Sequence, residues 1–187
     1  MLKIISKLYV RLFISYYKHK HNICKIIEKD VERFIKENYI QKSSNVEVLL
    51  FLDKKSCFRD VFYYRCKENA TFLSLFYKKY PLLQLFQFTE AEGGAFFFTD
   101  PLCSRLGAKK IGYGCTFENE ISIGNKIKDG KFVYPTIGNN VKVGSHVCIY
   151  GDVNIGDNVN ILCGSVVVKD IPSNTTVLGN PAKPILE

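Results

Sequence analysis

The last third of the chain carries apolar residues at every sixth position. The first series is Ile137, Val143, Ile149, Ile155, Ile161 and Val167. A second series of apolar or small residues, offset by two positions, is Val141, Val147, Val153, Val159, Ser165 and Ile171. Alternate residues of a strand point to the same face, so each pair marks one short strand, and the remaining residues turn a corner. The pattern predicts a parallel β-helix in which each repeat of six is one strand and one turn.

The same rhythm begins earlier and has one interruption. Ile111, Phe117 and Ile123 follow the same spacing, but fourteen residues separate Ile123 from Ile137, two more than two repeats need. We therefore predict that residues of about 126–135 leave the β-helix as a loop. Chance alternation in an ordinary β-rich domain does not explain six consecutive positions in phase. Asn, Asp and Gly residues between the strands suit corners, because they tolerate positive φ.

The first half of the chain has a helical pattern instead. Apolar residues recur three and four positions apart over residues 1–42, and two more helices are predicted at 46–52 and 57–66. This part is too apolar to be a tail, so we expect a small helical bundle that packs against another surface.

The boundary between the two parts is predicted at Glu92-Gly-Gly94, with strands beginning at about 95–98. The domains are then a helical N-terminal domain, 1–92, and a β-helix with a C-terminal tail, 93–187. The fold class is α+β.

Composition limits the class of protein. The 187 residues are 47% hydrophobic and 24% charged, which is typical of globular domains, and no apolar run is long enough for a membrane span. A cation about every four residues interrupts the N-terminus, and no small-residue cleavage site follows, so we expect no signal peptide. Seven cysteines without a CxxC pair argue against a disulfide scaffold or a zinc site. We expect a cytoplasmic protein without a metal.

The positive charge is unevenly placed. The net charge of +8 lies entirely in residues 1–109, and residues 1–22 hold five Lys or Arg and no acid. A solvated helix face explains this segment, and peripheral contact with an anionic membrane surface is the alternative. No nucleic-acid-binding motif accompanies the charge, so we expect no nucleic-acid partner.

Three segments of the β-helix resemble a known family. They are Pro135-Thr-Ile-Gly-Asn-Asn-Val-Lys-Val-Gly144, then Ile155-Gly-Asp-Asn-Val together with Gly164-Ser-Val-Val-Val-Lys-Asp-Ile-Pro172, and last Val177-Leu-Gly-Asn-Pro-Ala-Lys183. They resemble the hexapeptide-repeat acyltransferases, above all the serine acetyltransferase group and its polysaccharide-associated variants. Upstream, residues 58–65 are similar to a helix that precedes the β-helix in these proteins. The resemblance, over about 57–185, implies a left-handed parallel β-helix and a homotrimer.

The resemblance also implies acetyl-CoA as the donor. In the family, the pantetheine arm lies in a groove between neighbouring subunits, against small residues of successive coils. Ser145 and Cys163 match those small residues, and Gly144 and Gly164 adjoin them. Near the C-terminal end, Lys169 and Lys183 are the candidates for holding the CoA phosphates as point charges, and plain solvent exposure is the alternative.

The catalytic positions depart from the family pattern. Acetyl transfer to a hydroxyl needs a general base, and the family uses histidine. The two matching positions here hold Asp100 and Tyr134. His19 and His21 match nothing catalytic, whereas His146 lies beside the expected CoA groove. The catalytic candidates are therefore Asp100, Tyr134 and His146.

Several outcomes remain open from the sequence. In the first, Asp100 is the base, with a pKa raised by the aromatic residues at 96–98. In the second, the acceptor is an amine, such as a nucleotide-linked amino sugar. In the others, His146 substitutes as the base, or the chain is an inactive scaffold or partner subunit. We predict an acetyl-CoA-dependent acetyltransferase acting on a small hydroxyl or amino acceptor, serine or a sugar, in surface-polysaccharide synthesis. Acceptor specificity is expected in the loops around 103–110 and 126–135.

Overall fold

The computed structural model of the chain describes residues 23–37, 58–66, 83–85, 90, 94, 97–99 and 103–185. Two helices lie in these ranges, α1 (Ile23–Glu37) and α2 (Phe58–Cys66). They are followed by β1 (Leu83–Leu85), β2 (Phe97–Phe98), β3 (Ser104–Leu106), β4 (Lys110–Ile111), β5 (Thr116–Phe117), β6 (Ser122–Gly124), β7 (Lys126–Lys128), β8 (Lys131–Val133), β9 (Thr136–Ile137), β10 (Lys142–Val143), β11 (Cys148–Tyr150), β12 (Asn154–Ile155), β13 (Asn160–Ile161), β14 (Val166–Val167), β15 (Thr176–Leu178) and β16 (Lys183–Pro184). The helices predicted in residues 1–22 and 46–52 lie outside the described residues.

The strands form a prism with three faces. The six-stranded face has the order β16-β15-β13-β10-β5-β2, the five-stranded face β1-β3-β6-β11-β14, and the three-stranded face β12-β9-β4. Successive strands β10, β11 and β12 belong to the six-, five- and three-stranded faces in turn, so one coil contains three strands. Their ladders are parallel; only β15 and β16 pair antiparallel within these faces. This is the parallel β-helix that the six-residue repeat predicts.

The interior of the prism is filled by the predicted apolar series. All twelve residues of the two series are buried, and Phe98 stacks on Phe117 at the first coil with ring centroids 5.3 Å apart. The polar member, Ser165, donates its hydroxyl to the carbonyl of Leu162 at 2.6 Å, which satisfies the buried oxygen. The sequence period therefore identifies the core correctly.

The β-helix begins before the predicted boundary. Strand β1 pairs in parallel with β3, and Glu90 bridges to Lys110, so both belong to the first coil. The predicted start at residue 93 is therefore too late. Leu-Gln-Leu is a single short alternation among apolar and aromatic residues, and Pro81 interrupts the run before it, so no repeat of six is visible there.

The predicted loop at 126–135 leaves the prism as a β-hairpin. Strands β7 and β8 pair antiparallel, and Asp129 and Gly130 turn the chain with φ of 50° and 73°. Positive φ at both central residues is the mark of a type I′ turn, which Asp-Gly favours. Ile127 and Phe132 face each other across the hairpin, and both are 64% exposed.

The two described helices pack at the first coil. Arg65 of α2 pairs with Asp30 of α1, Nε to Oδ2 at 3.0 Å, in a buried ion pair. Arg33 of α1 donates to the Thr116 hydroxyl of β5 at 3.1 Å, and Val61 of α2 joins the β-helix core. Neither described helix has the length and hydropathy needed to cross a membrane.

Candidate functional site

Each edge of the prism is a column of stacked corners. We name the edge between the six- and five-stranded faces the serine edge; it contains residues 118–121, 144–147 and 162–165. The hairpin edge, between the five- and three-stranded faces, carries β7 and β8. The third, the asparagine edge, contains residues 112–115, 138–141, 156–159 and 172–175.

The serine edge brings together four of the predicted donor-binding residues. Gly144 lies directly against the coil below, because a Cβ added there would stand 2.8 Å from the Cys163 nitrogen. Gly164 donates its N–H to the carbonyl of Ser145 at 2.8 Å. Gly164 itself has φ of 73° and open space where a side chain would stand. The edge is therefore a narrow surface of small side chains and backbone.

A carboxylate that sequence reasoning missed lies on this surface. Glu118 Oε2 accepts hydrogen bonds from the Ser145 hydroxyl at 2.6 Å, the Ser145 N–H at 2.9 Å and the Cys163 thiol at 3.6 Å. The Ser145 hydroxyl lowers the pKa of Glu118 below its usual range, more than partial burial raises it. The register between coils would have identified Glu118, because Thr116 pairs with Lys142 and Glu118 therefore lies one coil above Gly144.

His146 lies on the same edge and has a carboxylate partner. Its Nδ1 is 3.1 Å from Glu120 Oε2, and both side chains are substantially exposed. Both residues have left-handed backbone, with φ of 58° and 53°, as the corner geometry requires. The contact occupies Nδ1 and leaves Nε2 as the ring nitrogen for a ligand.

Tyr134 lies at a cleft on the five-stranded face. The cleft has a volume of about 280 Å³, and its polar lining consists of Arg105, Ser122, Asn125, Tyr134 and Tyr150. Ser122 and Tyr150 are joined by a hydrogen bond of 3.1 Å between their hydroxyls. Tyr134 lies between β8 and β9 on the hairpin edge, so the structure separates it from His146 across the five-stranded face. Asp100 lies outside the described residues.

The two predicted phosphate-binding lysines lie on different edges. Lys183 pairs with Leu178 in the β15–β16 ladder, at the end next to the serine edge, where Gly179 donates to the Ser165 hydroxyl. Lys169 follows β14 on the hairpin edge. Within one copy of the chain, only Lys183 adjoins the serine edge.

The described residues contain no cluster of three or more His, Cys, Asp or Glu side chains that could hold a metal ion. On the serine edge, the charged or titratable side chains are the Glu118 carboxylate with the Cys163 thiol bonded to it, and the Glu120–His146 pair.

Similarity to known proteins was sought by sequence and by structure. No family model matches the chain. Over 75 residues it is 39% identical to the serine acetyltransferase of Synechococcus elongatus, covering 40% of this chain and 31% of that protein. Over 52 residues it is 56% identical to the galactoside O-acetyltransferase of Escherichia coli, covering 28% of this chain and 26% of that protein. The aligned parts thus span less than a third of these relatives.

The structural similarity extends over most of the chain. The serine acetyltransferase of Neisseria gonorrhoeae superposes with a TM-score of 0.69 over 90% of this chain and 68% of that one, at 24% identity. The chain has the fold of the serine acetyltransferases. A serine acetyltransferase solved in complex with CoA gives a TM-score of 0.67 over 90% and 72%, at 16% identity. The predicted fold class, helices followed by a left-handed parallel β-helix, and the predicted resemblance to serine acetyltransferases are confirmed.

Proposed function

We propose that the chain is an acetyl-CoA-dependent acetyltransferase acting on a small hydroxyl or amino acceptor. The observation that carries the proposal is the serine edge, where Gly144, Ser145, Cys163 and Gly164 form one continuous surface of small residues. The similarity to proteins named serine acetyltransferase and galactoside O-acetyltransferase supports an enzyme over the alternative of a scaffold or partner subunit.

The donor arm is proposed to lie along the serine edge. Small side chains let an extended chain approach the backbone, and the Ser145 and Glu118 oxygens offer hydrogen-bond partners to its amide groups. Lys183, at the lower end of this edge, is proposed to contact the phosphates of CoA. Lys169 lies on the hairpin edge. The proposed assembly is a homotrimer with the donor groove between subunits, in which Lys169 of a neighbouring copy is proposed to reach the same groove.

We assign the general base to His146. Its Nδ1 is held by Glu120, and a neutral imidazole is the side chain best suited to accept a proton near pH 7. His146 Nε2 takes the hydroxyl proton while the acceptor oxygen bonds to the thioester carbonyl carbon. The carbon–sulfur bond then breaks, and the proton passes to the leaving CoA thiolate. Tyr134 is proposed to orient the acceptor from the cleft.

We also propose where in the cell the enzyme acts. The net charge of +8 and the cysteine usage support a cytoplasmic protein that contacts an anionic membrane surface through residues 1–22, where surface-polysaccharide precursors are modified. Those residues lie outside the part of the chain that the structure describes.

The direct test is release of free thiol from acetyl-CoA in the presence of serine, sugars and amino sugars. Cys163→Phe fills the donor groove and should abolish CoA binding, whereas Asn154→Phe adds the same ring on the exposed three-stranded face and should leave it intact. Folded protein that binds no acetyl-CoA and releases no thiol with any acceptor would contradict the proposal.

Two further variants test whether His146 or Asp100 is the general base. His146→Gln should lower the turnover number roughly 10²–10⁴-fold at neutral pH with CoA binding retained. Asp100→Asn should leave turnover within about twofold of the wild-type value if His146 is the base. A large loss in Asp100→Asn together with a small loss in His146→Gln would move the role to Asp100.

A further inference from the structure

The Glu118 carboxylate lies on the surface that is proposed to hold the donor arm. Two of the predicted donor-binding residues on the serine edge carry polar side chains, Ser145 and Cys163, and both side chains bond to Glu118. We infer that the carboxylate is a built-in competitor of the donor, a latch that the arm of acetyl-CoA must displace from Ser145 in order to bind. The inference rests on the proposed function, because it describes how the donor enters that site.

The corner around Ser145 has few hydrogen-bond donors for an arm. The N–H groups of Gly144 and His146, on either side of it, donate to carbonyls of the neighbouring coils at 2.9 Å and 3.1 Å. The Ser145 N–H and hydroxyl both donate to Glu118 Oε2 instead, at 2.9 Å and 2.6 Å. An amide carbonyl of the arm that approaches this corner therefore meets donors that are already bonded to another oxygen.

The reach of the Glu118 side chain places it across the groove. Glu118 starts one coil above Ser145, and Cys163 lies one coil below it. The Cys163 thiol is 3.6 Å from Glu118 Oε2, so a single carboxylate oxygen contacts both lower coils. On the asparagine edge, by contrast, Asp157 bonds to the neighbouring coil through the Asn139 N–H at 2.6 Å. The Glu118 carboxylate thus lies along the strip of small residues that the arm is proposed to follow.

The exchange of partners decides the sign of the effect. The Ser145 hydroxyl lowers the pKa of Glu118, so the latch is charged at neutral pH, and hydrogen bonds to a charged acceptor are the stronger ones. On leaving, the carboxylate gives up the Ser145 N–H, the Ser145 hydroxyl and the Cys163 thiol. One amide of the arm offers a single N–H in return. Removal of the carboxylate should therefore strengthen donor binding, whereas removal of a mere partner of the arm would weaken it.

The first experiment measures the binding of three probes to the full chain under reducing conditions. CoA carries the arm and the phosphates, pantetheine is the uncharged arm, and adenosine bisphosphate is the phosphate end alone. Calorimetry follows CoA and the bisphosphate, and saturation-transfer NMR follows pantetheine. Glu118→Ala should lower the Kd of CoA and of pantetheine about tenfold and leave the Kd of the bisphosphate within about twofold of the wild-type value.

A second variant grades the effect. Glu118→Gln keeps the length of the side chain and an acceptor oxygen but loses the charge, so the latch is weakened and not removed. The Kd of pantetheine should lie between those of the wild type and Glu118→Ala, about threefold below the wild-type value.

The matched control removes a carboxylate from another edge. The Asp157 carboxylate also accepts a backbone N–H from the neighbouring coil, and Asp157→Ala takes the same charge from the asparagine edge. The Kd of each probe should stay within about twofold. If both alanine variants lower the Kd of CoA and of the bisphosphate while that of pantetheine is unchanged, the effect is general charge repulsion, and the latch is overturned.

The outcomes separate the latch from the proposed function. If the wild-type protein binds CoA and Glu118→Ala binds pantetheine no more tightly, the latch is overturned and donor binding stands. If only the Glu118 variants bind pantetheine measurably, the latch is supported. If the folded wild type and both Glu118 variants bind neither CoA nor pantetheine, the latch and the proposed donor site are both overturned.

Discussion

At the residue scale, the corners of this β-helix depend on side chains that accept a left-handed backbone. Asn140, Asn158 and Asn174 have φ of 54°, 57° and 59° and stack on the asparagine edge. Asn140 Nδ2 donates to Asn158 Oδ1 at 3.3 Å, and Asn158 Nδ2 donates to Asn174 Oδ1 at 2.9 Å. These corners require a left-handed backbone and hydrogen bonds between stacked side chains. Asparagine suits both requirements, because it tolerates positive φ and its amide carries a donor and an acceptor.

Substitution of the middle asparagine should separate these two contributions. Asn158→Gly loses the two side-chain hydrogen bonds but keeps the backbone relaxed, whereas Asn158→Ala loses them and adds the strain of a Cβ at positive φ. We expect Asn158→Ala to be the less stable variant by about 1 kcal/mol. Urea unfolding of both variants measures the difference, and equal stabilities would show that strain at this corner is negligible.

The Glu118–Ser145 contact should make stability depend on pH. The pKa of Glu118 is lowered in the folded protein, so its contribution to the free energy of unfolding is present above its ordinary value of 4.5 and disappears as pH falls through the lowered value. Ser145→Ala should therefore cost about 1 kcal/mol at pH 7 and progressively less in acid.

The control for this prediction lies on another edge. Ser173 accepts a hydrogen bond from the Asp157 N–H at 2.9 Å through its hydroxyl, a contact without an ionisable acceptor. Ser173→Ala should change the free energy of unfolding by an amount that does not vary between pH 7 and pH 4. A Ser145→Ala loss that is equally constant would contradict the role given to the Glu118 carboxylate.

At the element scale, the docking of α1 on α2 depends on a buried charge pair. Asp30 and Arg65 are only 3% and 5% exposed in their side chains. Because both side chains are almost closed off from water, removal of one member of the pair takes away compensation that water cannot supply to the other charge, and the free energy of unfolding falls.

Removal of one partner should therefore destabilise the helical part strongly. Asp30→Ala should reduce the free energy of unfolding by about 3–5 kcal/mol. Glu37→Ala, which breaks the more exposed Arg33–Glu37 pair on the same helix, should cost about 0.3–0.5 kcal/mol. Thermal and urea unfolding compare the two, and similar losses would mean that the buried pair contributes no more than the exposed one.

At the scale of the whole molecule, the last coils leave apolar surface uncovered. Val168, Leu178 and Ile185 are 49%, 45% and 39% exposed. Closed symmetric assembly buries such residues, and a groove shared between copies would also unite Lys169 of one copy with the serine edge of the next.

The oligomeric state tests this arrangement directly. Light scattering coupled to gel filtration should give about three times the chain mass of 21.4 kDa. Leu178→Glu should shift the mass towards that of a single chain and lower thiol release in parallel. A monomer that retains full activity would contradict the shared groove.

The sequence alone determined the β-helix and most of its core, because each coil repeats one simple requirement: two inward residues in every six. The Asp129-Gly130 turn is equally local, but the irregular spacing predicts only that residues of about 126–135 leave the β-helix, and the pairing of β7 with β8 is visible only in the structure. The sequence does not predict the first coil, which begins at Leu83, because no repeat precedes it and a single coil shows no period.

The chemistry of the site was decided by the tertiary structure. The proposed donor-binding positions, such as Ser145, follow from motif resemblance. Glu118 becomes the partner of Ser145 only because parallel stacking sets residues far apart in the chain at hydrogen-bond distance. The pairing of His146 with Glu120 and the cleft around Arg105 arise in the same way. Periodicity fixes which residues face inward, whereas outward neighbours depend on the register between coils, which the hairpin insertion shifts.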